Sequence, residues 1–218
     1  MPESLFGAPY LCMHRGDLHE ALVSIVPEGL IRRGKKLVGL DEGAGQVTLT
    51  FEDGTSARAD AVIGADGVHS LVRDIIIGPD EPIHKGRIAY RAVFPSALIG
   101  SKDMGPSRTK WWGIDRHIVI YYTTRDRSEI YLITSVPEPA EWLTRESWST
   151  TGDVRELRRA YEGFHPDVRA VVEACPACHR WAILEREPLP RWSAGRVVLL
   201  GDACNPMTPY MAQGAATA

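Results

Sequence analysis

The segment at residues 195–214 constrains the fold more than any other part of the chain. It reads GRVVLLGDACNPMTPYMAQG, in which the apolar run 197–200 precedes a loop with one acid, Asp202. Such a run is typical of a parallel strand covered on both faces, and open α/β sheets bind ligands just past the carboxyl ends of their strands. Gly214 and Ala215 are expected to begin a helix whose free N–H groups can face an anionic group. This combination suits a nucleotide cofactor.

Two further segments support this interpretation. Residues 60–73 read DAVIGADGVHSLVR, a short apolar strand followed by Asp66 between small residues, and a helix is expected to begin near Ser70. Residues 14–22 read HRGDLHEAL, which indicates a helix start with Arg15 at its mouth.

At these three segments the chain resembles the flavin-dependent aromatic hydroxylases, the group that includes p-hydroxybenzoate and salicylate hydroxylase. The two signatures of the group, at residues 64–73 and 195–206, occur in the right order and at the usual separation. Within the group, the chain is most similar to the 6-hydroxynicotinate 3-monooxygenases. That similarity depends on the segments 108–113, 115–122 and 207–214.

This resemblance implies the fold class and the reaction. The expected fold is mixed α/β, like that of p-hydroxybenzoate hydroxylase, with a partial FAD-binding Rossmann-like part and an inserted antiparallel-sheet substrate domain. The implied cofactor is FAD, with NADH and O₂ as co-substrates and a flavin C4a-hydroperoxide as the hydroxylating species. The implied substrate is a small aromatic acid such as 6-hydroxynicotinate, hydroxylated with or without loss of its carboxyl group. A salicylate 1-monooxygenase-like activity is the alternative within the class.

One signature of the group is absent from the sequence. The chain contains no Gly-x-Gly-x-x-Gly, the turn with which relatives hold the FAD pyrophosphate in an N-terminal βαβ unit. We therefore expect an interior piece of a flavoprotein that lacks both ends. A non-catalytic fragment unable to hold FAD alone remains the alternative from a different class.

The domain organisation follows from a change in composition. The pairs Gly78-Pro79 and Glu81-Pro82 indicate a boundary, beyond which the strands become rich in aromatic and β-branched residues. We predict that residues 1–80 and 185–218 form the partial FAD-binding domain and that residues 81–184 form the substrate domain. Earlier strands are expected at 36–40, 46–51 and 57–65, and later ones at 88–94, 109–112, 118–123 and 130–136, with helices at 17–25, 153–161 and 166–174.

The resemblance assigns candidate cofactor-binding residues. Asp202 matches an acid that bonds a ribitol or ribose hydroxyl of FAD, although an ordinary helix N-cap is the alternative. Asp66 would lie near the pyrophosphate, or else simply form its turn. Arg15 would pair with the pyrophosphate or a ribose, unless it is an ordinary exposed arginine. Along the flavin ring the resemblance places Pro206, Gln213, Gly214 and Ala215.

The candidate catalytic residues share one strand face. His117 and Tyr121 alternate along a predicted strand, so both can line a pocket and accept or relay the proton of a ring hydroxyl. The alternative is a solvent-facing histidine and a half-buried tyrosine. Other candidate substrate-binding residues are Trp111, Arg91 and Tyr210, where Trp111 can equally belong to the core and Arg91 to a sheet edge.

Composition excludes several classes of partner. The net charge of −3 without a basic stripe argues against nucleic acid as a partner. The sequence has no long apolar run, and no signal peptide is expected from its first residues. The motif at residues 175–179, CPACH, fits the haem-attachment pattern but is expected to be a structural turn, and no metal site is predicted. We expect a cytoplasmic protein and leave a homodimer open.

Overall fold

The computed structural model describes residues 2–8, 13–105, 108–138, 150–211 and 214. The strands, in chain order, are β1 (Leu37–Glu42), β2 (Val47–Phe51), β3 (Ser56–Ala59), β4 (Val62–Gly64), β5 (Ile83–Pro95), β6 (Thr109–Trp112), β7 (His117–Tyr122), β8 (Glu129–Pro137), β9 (Thr151–Gly152), β10 (Cys178–Glu185), β11 (Ser193–Ala194) and β12 (Val197–Leu199). The helices are α1 (Pro2–Phe6), α2 (Arg15–Ser24), α3 (Leu71–Ile77), α4 (Val154–Ala160) and α5 (Pro166–Ala174), with short 3₁₀ turns at Ser96–Ile99, Gly201–Ala203 and Pro209–Met211.

The chain divides into two compact units. The first unit comprises Met1–Pro27 and Gly86–Ile183, and the second comprises Glu28–Lys85 and Leu184–Ala218. The mixed helix and sheet fold predicted from the sequence is confirmed. The assignment of one part of the chain to FAD and the other to substrate stays a prediction.

The first unit is built on a six-stranded sheet of order β6-β7-β8-β5-β10-β9. Alternation along β7 buries Ile118 and Ile120 in the core, together with Ile130 and Leu132 of the antiparallel neighbour β8. Helix α5 packs on the same core through valines at positions 168, 171 and 172, the spacing of one helical face.

The second unit holds two three-stranded sheets, β1-β2-β3 and β11-β12-β4. Strands β4 and β12 pair in parallel, with Leu199 opposite Gly64. The single strand predicted at 57–65 is therefore two strands, because β3 pairs with β2 whereas β4 pairs with β12 of the other sheet.

Only one face of the parallel pair is covered within the described residues. Val197 and Leu199 are buried against Val72 of α3, whereas Ile63 and Val198 on the outward face are 64% and 39% exposed. The apolar run 197–200 predicts a strand covered on both faces, and the described part of the chain covers one. None of the described helices is long and apolar enough to cross a bilayer.

The close contact between β4 and α3 leads to a stability prediction. An alanine Cβ at position 64 would lie 2.7 Å from Cγ1 and 2.8 Å from Cβ of Val72, and 3.2 Å from Cδ2 of Leu199. Since the Val72 Cβ is fixed to the helix backbone, Gly64→Ala should lower the free energy of unfolding by about 1–3 kcal/mol, the usual cost of overpacking. Urea unfolding followed by circular dichroism measures this change.

A matched control for that substitution lies in the β1–β2 turn. At Gly43 an added Cβ would meet nothing closer than the Gln46 carbonyl oxygen at 3.9 Å. Gly43→Ala should therefore be neutral or slightly stabilising, because it only reduces the freedom of the unfolded chain. Equal losses in the two variants would contradict the packing argument.

Candidate functional site

Two loops leave the same edge of the parallel pair in the second unit. The loop with Asp66 follows β4, and the loop with Asp202 follows β12. Because the strands are parallel neighbours with Leu199 opposite Gly64, both loops begin at adjacent carboxyl ends. The structure therefore places side by side the starts of two loops whose acids are 136 positions apart in the sequence.

The carboxylate of Asp202 is available to a ligand. The residue is exposed, in the 3₁₀ turn Gly201–Ala203 directly after β12. Within the described residues Asp202 takes part in no hydrogen bond or ion pair. The backbone around it is closed by hydrogen bonds from the N–H groups of Cys204 and Asn205 to the Gly201 carbonyl, at 3.0 and 2.8 Å. An unengaged acceptor on an ordered turn suits a hydroxyl-bearing ligand.

The carboxylate of Asp66 has partners within its own turn. It accepts hydrogen bonds from the Ser70 hydroxyl and from the Val72 N–H, the latter at 3.1 Å. Ser70 in turn caps α3 by accepting from the Arg73 N–H at 2.9 Å. Gly67 supplies the left-handed conformation of the turn, with φ at +84°. These hydrogen bonds are those expected if Asp66 stabilises its own turn, which was the alternative to a position near the FAD pyrophosphate.

The remaining predicted cofactor-binding residues are distributed between the two units. Pro206 is buried, and Tyr210 and Gly214 are half-buried in the segment after the Asp202 loop. Arg15 belongs to the first unit, at the start of α2. Two further predicted residues, Gln213 and Ala215, lie outside the residues that the structure describes.

In the first unit, the predicted alternation along β7 is present. His117 and Tyr121 lie opposite Ser135 and Tyr131 of β8, on the face turned away from the core. The rings of Tyr121 and Tyr131 are tilted, with centroids 4.8 Å apart. Sequence analysis missed Tyr131, although alternation along the predicted strand 130–136 places it on this face.

A cavity of about 870 Å³ covers part of this face. Arg91 and Tyr121 line it, and Arg15 reaches it from α2, so three predicted site residues share one enclosure. Arg91 also stacks over the Trp181 ring, 5.2 Å from its centroid. The other lining residues are Met13, His14, Gly16, His19, Ala92, Val93, Thr123, Tyr131, Thr151, Pro176, Ala177, Cys178 and His179. This lining combines cationic, aromatic and small side chains.

His117 is a weaker base than the sequence analysis expects. Burial, with the nearby charges of Lys110 and Arg87, lowers its pKa to about 4. The imidazole is therefore neutral near pH 7, so the expected tuning toward the working pH is not what the structure gives. Its ring lies 5.1 Å from the Trp112 ring, and it is not among the described lining residues of the cavity.

Trp111 lies on the core face of the sheet, opposite to the face that carries His117. It pairs with Ile118 and packs against the hydrophobic core, whereas its neighbour Trp112 pairs with His117. Successive residues of a strand face opposite sides of the sheet, so Trp111 faces the core and Trp112 lies on the face of His117. This packing is that of the core alternative for Trp111, and its role in substrate binding stays a prediction.

The motif at residues 175–179 spans the connection from α5 to β10, and its last two residues, Cys178 and His179, begin that strand. Both Cys175 and Cys178 are buried, and the Cys175 thiol donates to the Ala177 carbonyl at 3.3 Å. Burial raises the pKa of each thiol to about 11, which disfavours the reactive thiolate. Among the described residues, no group of three or more potential ligands is placed to hold a metal ion.

Comparison with known proteins places the chain among flavoproteins. It is 46% identical to 6-hydroxynicotinate 3-monooxygenase of Bordetella bronchiseptica over 99% of this chain and 56% of that protein. It is 44% identical to the enzyme of that name from Pseudomonas fluorescens over 98% of this chain and 55% of the relative. The chain thus spans about half the length of the curated relatives it matches.

Solved structures show the same fold. A salicylate hydroxylase in complex with substrate superposes with a TM-score of 0.80 at 27% identity, over 93% of this chain and 53% of that one. Klebsiella pneumoniae HpxO with FAD and uric acid gives a TM-score of 0.78 at 26% identity, over 93% of this chain and 51% of that one. The family model described as "FAD binding domain" matches residues 18–218. The chain therefore belongs to the FAD-binding domain family, as the resemblance predicts.

Proposed function

We propose that this protein is an FAD-dependent monooxygenase that hydroxylates a small aromatic acid with NADH and O₂. The observation that carries the proposal is the pair of loops at adjacent carboxyl ends of β4 and β12, one of which presents the unengaged carboxylate of Asp202. The relatives named above support the class of reaction.

The residues of the second unit fit FAD. Asp202 offers an exposed acceptor for a ribityl or ribose hydroxyl, and the segment with Pro206, Tyr210 and Gly214 follows it directly. The Asp66 carboxylate already accepts hydrogen bonds within its own turn. This turn would therefore contact FAD through its backbone rather than through a free carboxylate. When bound and reduced by NADH, FAD supplies the activated oxygen for the ring.

The cavity of the first unit fits an aromatic anion. Arg15 and Arg91 bring two positive charges, Tyr121 and Tyr131 bring aromatic walls, and its described lining contains no aspartate or glutamate. We assign Arg91 to the substrate carboxylate, which a guanidinium can bind in bidentate fashion. The Tyr121 hydroxyl is assigned to the ring hydroxyl, where it relays the proton that leaves as the ring becomes electron-rich.

His117 has a supporting role in this proposal. With its pKa near 4 the imidazole stays neutral at working pH, so we assign it no proton transfer. Its backbone carbonyl accepts from the Tyr161 hydroxyl at 2.7 Å, which fixes β7 to the adjacent helical layer.

The preferred substrate is 6-hydroxynicotinate, and salicylate is the alternative. In the decarboxylative reaction the new hydroxyl replaces the carboxyl group, so 6-hydroxynicotinate, NADH, two protons and O₂ give 2,5-dihydroxypyridine, CO₂, NAD⁺ and water. Substrate-dependent NADH oxidation by protein expressed from its complete reading frame, with product measured against hydrogen peroxide, tests the proposal. NADH consumption that yields only peroxide with both acids would contradict it.

The first prediction of this proposal concerns Asp202. Asp202→Asn should weaken FAD binding about tenfold or more, because a hydrogen bond to a charged group contributes about 1.5–3 kcal/mol. Titration of flavin fluorescence measures the affinity. Asp41→Asn makes the same change on an exposed acid of β1 in the same unit and should leave the affinity unchanged.

The second prediction concerns Tyr121. Tyr121→Phe should lower the hydroxylation rate about 100-fold or more while FAD stays bound, because it removes a proton relay. Tyr122→Phe is the matched control, since the next residue faces the core and its hydroxyl accepts from the Met104 N–H at 3.2 Å. Equal hydroxylation rates in the two variants would remove Tyr121 from the reaction.

The third prediction concerns His117. An NMR titration of its ring protons should give a midpoint near pH 4, against about 6.5 for an ordinary histidine. Since the unfolded chain binds the proton more tightly, His117 should reduce stability as the pH falls from about 6.5 to about 4. A midpoint near 6.5 would restore the role of His117 as a base.

A further inference from the structure

A cluster of three charged residues lies beneath the two loops of the second unit. The side chains of Arg73 and Arg186 are 1% and 3% exposed, and Asp80 lies between them. Arg73 donates from Nε to Asp80 Oδ1 at 2.9 Å and from Nη2 to Asp80 Oδ2 at 2.8 Å, a bidentate pair. Arg186 donates from Nη1 to Oδ1 of the same carboxylate.

Arg73 connects this cluster to the loop after β12. Its Nη1 donates to the carbonyl oxygens of Cys204 and Ala203, at 3.2 and 3.5 Å. These carbonyls belong to the two residues that follow Asp202 in the chain. The orientation of the Arg73 guanidinium therefore determines the position of the Asp202 turn.

Arg186 connects the same cluster to the loop after β4. Its Nε donates to the Val68 carbonyl at 2.9 Å, two residues after Asp66. Its Nη1 also donates to the Asp80 backbone carbonyl at 2.5 Å. One carboxylate is thereby linked, through two guanidinium groups, to both loops of the candidate FAD site.

The charge of Asp80 is what keeps both guanidinium groups in place. A buried guanidinium without a counter-charge carries a large desolvation cost, and a bidentate carboxylate fixes its plane as well as its position. The hydrogen bond from Arg73, with the charges of both arginines, holds the pKa of Asp80 below its usual value. The carboxylate is therefore ionised throughout the neutral range.

We propose that Asp80 is a positioning residue for FAD, which acts through Arg73 on the Asp202 loop and through Arg186 on the Asp66 loop. The FAD part of this inference rests on the proposed function. Sequence analysis gave Asp80 no role, because it lies between the two proline pairs that only indicated a boundary.

The test compares Asp80→Asn with Asp80→Glu and with Asp53→Asn. Asp53→Asn removes an acid that is also paired, with Lys35, but lies in the exposed β2–β3 turn of the same unit. Two quantities are measured: the FAD dissociation constant, and the hydrogen exchange of the Cys204 and Asn205 amides in flavin-free protein. The amide exchange is measured without FAD, so it reports directly on the loop after β12.

Asp80→Asn should speed exchange of both amides and raise the FAD dissociation constant, each about tenfold. Asp80→Glu, which keeps the charge, should recover part of both effects, and Asp53→Asn should change neither. Circular dichroism checks that each variant folds, and if Asp80→Asn unfolds, the loop exchange of Asp80→Glu decides by itself. The proposal is overturned if Asp80→Asn folds and shows wild-type amide exchange and wild-type FAD affinity. If Asp80→Asn unfolds, the proposal is overturned by a folded Asp80→Glu whose loop amides exchange at the wild-type rate.

Failure of the proposed function would be recognised separately. A wild-type protein that binds no FAD overturns the flavin site itself, whatever the variants show. The exchange of the Cys204 and Asn205 amides in Asp80→Asn then still decides whether this carboxylate holds the Asp202 loop.

Discussion

The parallel pairing of β4 with β12 is the interaction on which the candidate cofactor site depends. Their register sets Gly64 beside Leu199, so two loops from distant parts of the chain leave one sheet edge together. Helix α3 packs closely on this pair of strands because Gly64 has no side chain where Val72 approaches it. Open α/β sheets bind ligands at the adjacent carboxyl ends of parallel strands, which supports the proposal that both loops belong to one cofactor site.

The two acids at this edge have different roles. The Asp66 carboxylate accepts hydrogen bonds from the Ser70 hydroxyl and the Val72 N–H at the start of α3. Asp202, in contrast, is exposed. A motif with two acids therefore does not imply two ligand contacts. One acid shapes the loop, the other is available for binding, and the buried arginine cluster beneath them fixes the backbone of both.

The sheet of the first unit separates packing from chemistry by its two faces. One face supplies the core, and the other carries Arg91, Tyr121 and Tyr131 at a cavity with cationic and aromatic walls. Burial at the far end of that face depresses the pKa of His117, while the tyrosines at the cavity stay close to Arg91. The same strand thus presents a neutral imidazole and a phenol to different surroundings.

The family, most of the strands, the alternation along β7 and the acid at the end of β12 could all be predicted from the sequence. These features are local: an apolar run, a period of two, or a glycine-flanked acid can be recognised within about twenty residues. Tertiary structure alone decided that Trp111 packs in the core, that Asp66 is already engaged, and that Asp80 joins Arg73 to Arg186. The packing of Trp111 and the pairing of Asp80 with Arg186 depend on contacts between distant parts of the chain. The hydrogen bonds of Asp66 depend on the conformation of its own turn, and none of these contacts leaves a periodic trace in the sequence.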